Sequence, residues 1–207
     1  MSVTRSFLVP VTALAVFLSG CAGAVEPGGA ASSAAPNGVA AVPSGYGTLF
    51  QDQFTLALEQ NGLLVKVTPL DESVILLAAP DTYTRLHRLA DSNRSALEAD
   101  ARASGVSLFL VSFFSRQPNL TYQPEDLHIV NRGLRYRPLA VRAITPGWGG
   151  QRLGQEESQI AVYAFDGAID LEIDLAADYQ GRANSGWATI LSTLRAERAR
   201  VRARGGR

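Results

Sequence analysis

The segment VSLFLVSFFS, residues 106–115, decides how the chain folds. It is an almost unbroken apolar run of strand length that contains three phenylalanines, and Gly105 and Pro118 bound it. Such a run is typical of a strand that is buried on both faces. We therefore expect residues 106–115 to form the central strand of the domain, with the rest of the sheet built around it.

Shorter strand patterns lie on both sides of this segment. Asn61-Gly62 is typical of a tight hairpin turn, because both residues tolerate positive φ values. The hairpin strands are predicted at residues 50–58 and 63–70, with a third short strand at 73–78. Beyond the central segment, strands are predicted at residues 127–130, 139–144, 159–165 and 169–175, with turns at Asn131-Arg132-Gly133 and Asp166-Gly167.

The last of these patterns alternates strictly between apolar and acidic residues. Asp170, Glu172 and Asp174 are predicted on the solvent side, with the intervening Ile and Leu residues inside. Three carboxylates suggest calcium, but positions i, i+2 and i+4 on a strand form a line and not a cage of ligands. A solvated strand face is the favoured interpretation, and we predict no metal site and no cofactor.

Two helices complete the predicted fold. Residues 81–104 carry leucine and alanine at three- and four-residue spacing, with Asp81 as N-cap and Gly105 after the last turn. A terminal helix is predicted after Ser185, with Trp187, Ile190, Leu191 and Leu194 as its apolar stripe. The fold class is therefore α+β, mainly an antiparallel β-sandwich or curled sheet with one long inserted helix and a C-terminal helix.

The N-terminus has the pattern of an export signal. One positive charge precedes an apolar run of about 13 residues, which is shorter than the ~20 that cross a bilayer as a helix. The run ends in Leu18-Ser19-Gly20-Cys21, which resembles the lipobox of bacterial lipoproteins at all four positions. The resemblance implies cleavage before Cys21, a diacylglycerol thioether on its sulfur and usually a third acyl chain such as palmitate. An ordinary secretory signal with a chance cysteine is the alternative.

Composition then divides the chain into three parts. Residues 1–20 are the predicted signal peptide, and residues 21–47 are a lipidated cysteine followed by a flexible Ala/Gly/Ser/Pro tether. The alternative for the tether is that residues 39–42 dock on the domain. Residues 48–207 are predicted to form a single β-rich globular domain that ends in an arginine-rich helix. Cys21 is the only cysteine, so no intramolecular disulfide can form.

Catalytic motifs are absent from the sequence. It contains no Gly-x-Ser-x-Gly elbow, Ser-x-x-Lys pair or His-Glu-x-x-His helix. His87 and His128 have no second ligand at metal spacing, so either would need the fold to supply a carboxylate and a hydroxyl. An enzyme is therefore the less favoured class.

Two features suggest binding surfaces. Trp148 stands between glycines in the loop TPGWGGQR, residues 145–152, and with Arg152 it is a candidate contact for a glycan, peptide or protein. Alternatively, Trp148 folds back to cover the sheet edge. Arg198, Arg202 and Arg204 are candidates for contact with an anionic lipid surface, although a basic helix C-terminus also suits the helix dipole.

These patterns predict a membrane-anchored envelope lipoprotein whose domain is a non-enzymatic binding or assembly module. The alternatives are a lipoprotein hydrolase acting on an envelope polymer or lipid, and a purely structural envelope protein. The predicted partners are the membrane, through the lipid, and an envelope protein or glycan; nucleic acid is not expected. Ala22 in place of an aspartate favours the outer membrane, facing the periplasm, if the organism has two membranes.

Overall fold

The computed structural model describes residues 42–43 and 45–205. The predicted signal peptide, Cys21 and most of the predicted tether lie outside these residues. In chain order the strands are β1 (Leu56–Gln60), β2 (Leu63–Pro69), β3 (Ser107–Ser115), β4 (Leu120–Thr121), β5 (Leu127–Asn131), β6 (Leu134–Tyr136), β7 (Ala140–Ala143), β8 (Arg152–Leu153), β9 (Ser158–Phe165), β10 (Leu175–Tyr179) and β11 (Arg182–Asn184). The helices are α1 (Glu72–Ile75), α2 (Pro80–Ala101) and α3 (Trp187–Gly205), with short 3-10 turns at Gln51–Phe54, Pro124–Asp126 and Trp148–Gly150.

The strands form antiparallel sheets, and β3 is the middle strand of the largest one. That sheet has the order β1-β2-β3-β9-β7, a second has the order β11-β10-β5-β6, and β4 pairs with β8. The smaller sheet begins beside the edge of the larger one, where Asn184 Nδ2 on β11 donates to Ala57 O on β1 at 2.7 Å. The predicted α+β class, with mainly antiparallel sheet, one long helix and a C-terminal helix, is confirmed.

An aromatic core joins the two larger sheets. The ring of Phe113 on β3 lies 5.6 Å from that of Tyr179 on β10 and 4.6 Å from that of Tyr122. α2 packs over β7 and β9, and α3 packs against β10 and the turn at Gln51–Phe54. Each fully buried aromatic side chain contributes about 2–3 kcal/mol of transfer free energy, so these rings stabilise the contact between the two sheets.

The turn chemistry was predicted correctly at two hairpins. Asn61 and Gly62 have φ values of 51° and 80°, and they join Gln60 to Leu63 in the register of the β1-β2 pair. The turn at Arg132 and Gly133, with φ values of 54° and 75°, likewise joins β5 to a strand, β6, that was not predicted. A third hairpin, β10-β11, turns on Gln180-Gly181 and was also missed.

Two predicted strands are wrong, and side chains explain both. Residues 73–78 begin as α1 because Asp71 Oδ1 accepts from Ser73 N at 2.9 Å, which caps the helix. Residues 169–174 form an irregular loop: Asn131 Nδ2 donates to the backbone oxygens of Asp170 and Asp174, both at 3.0 Å. The loop backbone therefore bonds to a side chain instead of a neighbouring strand.

The boundaries of two elements, β1 and α2, also differ from the prediction. The predicted strand at residues 50–58 starts with the 3-10 turn Gln51–Phe54, and only β1 is extended. α2 begins at Pro80 after Ala79, so Asp81 lies in its first turn and is not the N-cap. The helix ends at Ala101 because Arg102 is left-handed, with φ 51°, so Gly105 does not terminate it.

Candidate functional site

The chain enters the domain along the short segment between α1 and α2. Gly47 N donates to Leu76 O at 3.0 Å and Leu49 N donates to Leu77 O at 3.1 Å. A Cβ at Gly47 would lie 1.7 Å from Leu77 O, so only glycine fits this approach. Leu49 is buried, whereas the next side chain, Phe50, is 71% exposed. The entering segment is thus fixed to the domain, and it presents a phenylalanine to the surroundings.

Glu197, on α3, binds the entering segment through hydrogen bonds from Thr48. Its carboxylate is fully buried, and Oε1 accepts from both Thr48 N and Thr48 Oγ1 at 3.0 Å. Oε2 accepts from Arg200 Nη1 at 3.1 Å, and Oε1 also accepts from Arg204 Nη2 at 3.2 Å. Desolvation by itself would raise the pKa of Glu197, but these hydrogen bonds outweigh it and the pKa is lowered.

The C-terminal arginines contact two different parts of the domain. Arg204 Nη2 donates to Tyr46 O at 2.8 Å, so the end of α3 lies at the point where the chain enters. Arg198 instead forms an ion pair with Glu172 at 2.6 Å, away from Glu197. Arg202 is exposed. Of the three arginines predicted to contact an anionic surface, Arg198 and Arg204 therefore also hold other parts of the domain.

A shallow groove of about 590 Å³ runs along α2 beside the entering segment. Arg85 lies in its wall and donates to Gln51 Oε1 at 2.6 Å, which connects the groove to the residue after Phe50. Arg88 and Leu89 lie further along the same wall. We call the surface formed by Phe50, Gln51, Arg85, Arg200 and Arg204 the entry face.

His87 has the neighbours that the enzyme hypothesis requires. Its Nδ1 lies 3.0 Å from Glu72 Oε2, and Tyr83 Oη donates to Glu72 Oε1 at 2.6 Å. That hydrogen bond, with burial and the charge of Glu72, raises the pKa of Tyr83 to about 12. The side chains of His87 and Glu72 are 51% and 55% exposed, so this group lies on the surface.

His128 is held differently. Its Nδ1 lies 2.9 Å from Asp126 O and 3.3 Å from Arg135 Nη2. Arg135 in turn forms an ion pair with Asp178 at 2.7 Å, across β5. His128 therefore lies beside a guanidinium group that is paired with Asp178, the residue opposite His128 on β10, whereas His87 lies beside a carboxylate and a phenol hydroxyl.

Trp148 packs on the aromatic core. Its ring lies 5.5 Å from that of Tyr122 and 5.8 Å from that of Phe113, and the side chain is half-buried. Tyr122 itself is buried, and desolvation raises its pKa to about 12. Arg152, on β8, is exposed. The two predicted partner contacts thus differ, since Trp148 also covers the core whereas Arg152 points to solvent.

Two of the three acidic residues of the 169–174 loop, Asp170 and Glu172, form ion pairs with arginines. Asp170 forms an ion pair with Arg132 at 2.6 Å, and its Oδ1 accepts from Glu172 N at 2.9 Å. Backbone and Arg132 hydrogen bonds lower the pKa of Asp170. Within the described residues, no group of three or more His, Cys, Asp or Glu side chains is placed to hold a metal ion.

A polar cavity of about 330 Å³ lies where three turns meet, and we call it the turn-end cavity. It is lined by residues from the β1-β2 turn, the loop that follows β3, and the β10-β11 turn. Its polar side chains are those of Gln60, Asn61, Gln117, Asn119, Thr121, Tyr179 and Gln180. Asn61 was predicted only as a turn residue, and no sequence pattern indicated the other residues as parts of a site.

Comparison with known proteins gives no further information on function. No protein-family model matches the chain, and neither the curated proteins nor the solved structures gave a match. In the part of the chain that the structure describes, no helix has the length and apolar character needed to span a bilayer.

Proposed function

We propose that this protein is a lipid-anchored, non-enzymatic binding or assembly module of the cell envelope, and that its domain rests on the bilayer through the entry face. In an organism with two membranes, the anchor is in the outer membrane and the domain faces the periplasm. Acyl chains on Cys21 hold the chain, since two or three chains bind firmly where one binds reversibly.

The observation that carries this proposal is the meeting of two distant parts of the sequence. The predicted tether ends beside Tyr46, and Arg204, near the arginine-rich end of α3, donates to the backbone oxygen of Tyr46. Glu197 offers one carboxylate to two guanidinium groups there, so the cluster keeps a net positive charge. Phe50, 71% exposed, adds an aromatic side chain of the kind that enters a lipid interface.

The anchor is tested by labelling and extraction. The full chain should incorporate palmitate and partition into the detergent phase, whereas Cys21→Ala should do neither. Unlabelled wild-type protein in the aqueous phase would contradict the lipid anchor. Capture of envelope partners by the anchored wild type, compared with Cys21→Ala, then tests the binding role; a wild type that captures no envelope component would contradict it.

The entry face is tested without the anchor. In the Cys21→Ala chain, Phe50→Ser and Arg200→Gln should each weaken sedimentation with phosphatidylglycerol vesicles. The arginine effect is expected to be roughly fivefold, from about 1 kcal/mol for each basic residue at an anionic surface. Leu134→Ser is the matched control, because Leu134 is 60% exposed on β6, outside the entry face. An equal loss with Leu134→Ser would contradict the assignment of this face.

A hydrolase is the second candidate, and the group of Glu72, Tyr83 and His87 is the observation that favours it. Glu72 can orient His87, which then acts as general base toward a water molecule. If so, His87→Gln should abolish hydrolysis of ester and amide substrates by the full chain, while Arg88→Gln, one residue on, should not. A wild type with no such activity, or activity unchanged in His87→Gln, would reject this candidate.

A further inference from the structure

The turn-end cavity lies at the C-terminal end of β1, and the entry face lies near the N-terminal end of the same strand. β1 begins after the turn Gln51–Phe54 beside the entering chain and ends at Gln60, which lines the cavity. Five residues of strand span about 16 Å at ~3.3 Å per residue. With the entry face at the bilayer, the cavity therefore opens away from it.

The lining of this cavity has an unusual chemistry for a protein surface. Five of the residues that line it carry carboxamides, two carry hydroxyls, and none of those that line it carries a charge. A carboxamide offers a donor and an acceptor side by side, which matches the donor-and-acceptor hydroxyls of a sugar ring. Leu63, Pro118 and Leu120 add apolar surface for the C–H faces of such a ring.

From this lining we infer that the turn-end cavity binds a neutral sugar unit of an envelope glycan. The inference names the ligand of the binding module proposed above and rests on that proposal. A volume of about 330 Å³ is at the small end of the range for ligand sites, and suits one or two sugar rings. The absence of arginine and lysine among its lining residues disfavours phosphates and sugar acids, which need paired cations.

Gln60 supplies an independent reason to expect a ligand. Its Oε1 is buried, and no described residue donates a hydrogen bond to it. A buried acceptor without a donor is costly, so proteins keep few of them unless they have a use. Gln60 lines the cavity, and the terminal torsion of glutamine is broad, so rotation about it can present this oxygen to a sugar hydroxyl that donates to it.

The loop that follows β3 is held rigidly, as a preformed site requires. Ser115, fully buried, accepts from Gln117 N at 3.1 Å and donates to Gln117 O at 2.6 Å. Arg116 N donates to Gly62 O at 2.9 Å, which joins this loop to the β1-β2 turn. The backbone of these two turns is therefore fixed in position before any ligand arrives, which lowers the entropic cost of binding.

A peptide is the competing ligand, and the geometry disfavours it. Extended peptides are usually bound along an exposed strand edge through backbone hydrogen bonds. Here side chains from three separate turns surround a compact space. That arrangement favours a compact ligand that is recognised from several directions.

The test uses glycine substitutions that remove side chains without disturbing the backbone. Asn119 and Gln180 have φ values of 58° and 51°, which glycine adopts without strain. In the full chain, Asn119→Gly and Gln180→Gly should each weaken binding of chitotriose or maltotriose about tenfold, measured by saturation-transfer NMR. Gln151→Gly is the matched control, because Gln151 has a φ of 47° and lies outside the cavity.

A second variant separates binding from folding. Gln60→Met removes the unpartnered acceptor, so it should leave the melting temperature unchanged or raised while sugar binding is lost. Three results would overturn the inference: no transfer to either sugar, equal binding by Asn119→Gly and the wild type, or stronger binding of polygalacturonate or of a neutral tripeptide. Palmitate labelling, detergent partitioning and vesicle sedimentation do not involve this cavity. If those succeed and sugar binding fails, the anchored module stands and only the sugar ligand is rejected.

Discussion

Replacement of Glu197 by alanine is expected to lower the free energy of unfolding by about 2–3 kcal/mol. The side chain is fully buried, and its carboxylate accepts from Thr48, Arg200 and Arg204. Removing it leaves Thr48 N without its acceptor and two guanidinium groups close together. The estimate is at the low end for buried ion pairs, because Arg200 and Arg204 are 67% and 33% exposed and keep contact with water.

Urea denaturation of the full chain measures this change. Arg202→Ala is the matched control, since Arg202 is exposed on the same helix and should shift the free energy of unfolding by less than about 0.5 kcal/mol. Proteolysis near Tyr46 should also be faster in Glu197→Ala, because the entering segment loses its contact with α3. A Glu197→Ala chain as stable as the control would show that the buried carboxylate is dispensable.

The same residue makes stability depend on pH. The folded pKa of Glu197 lies below its ordinary value of 4.5, so its carboxylate stabilises the fold fully above that value. The stabilisation is lost as pH falls through the lowered pKa of the folded state. Glu197→Gln should therefore show a smaller loss of stability on acidification than the wild type. An unchanged acid dependence would mean that other carboxylates dominate it.

Strands were predicted well from the sequence where their backbone hydrogen bonds are made to neighbouring strands. Residues 106–115 were expected to be central, and β3 lies between β2 and β9. The Asn61-Gly62 turn was recognised because positive φ at both positions is a local requirement. A strand that is buried on both faces and a tight turn each leave a pattern in a short stretch of sequence. Both could therefore be inferred without knowing the fold.

The prediction failed where a side chain competes for the backbone. The alternation in residues 169–175 looks like a strand, yet Asn131 takes the backbone bonds that a neighbouring strand would otherwise make. Asn131 is 38 or more residues away in sequence, so its role could not be read from the loop itself. At residues 73–78 the signal was present, because Asp71 followed by Ser73 is a helix-capping pattern that strand propensity masked.

The candidate sites also differ in whether local sequence could have indicated them. Glu197 could have been found, because it continues the three- and four-residue spacing of Trp187, Leu191 and Leu194, and a charge on a buried stripe requires a partner. The turn-end cavity could not have been found from the sequence, because its carboxamides come from three turns that only the folded sheets bring together. Likewise, no sequence pattern indicated the contact of His87 with Glu72, whose Oε2 lies 3.0 Å from His87 Nδ1.

The largest single loss of stability is expected from Trp187→Ala, at about 4 kcal/mol. Trp187 is fully buried at the first turn of α3, and its Nε1 donates to Leu171 O at 3.0 Å. The substitution leaves a cavity where α3 meets the 169–174 loop and removes that loop's hydrogen bond. Trp187→Phe keeps most of the volume, so it should cost only about 1–2 kcal/mol, mainly for the unpaired carbonyl.

These two variants can be measured with the fluorescence of the remaining tryptophan. The chain has two tryptophans, so in both variants Trp148 is the only one left. Trp148 packs beside Tyr122 and Phe113 on the aromatic core, and its emission should shift when that core opens. If Trp187→Ala unfolds at the same urea concentration as Trp187→Phe, the ring does not hold α3 to the domain. If Trp187→Ala lowers the midpoint much further, the packed indole joins α3, and with it Glu197 and the entry face, to the sheets.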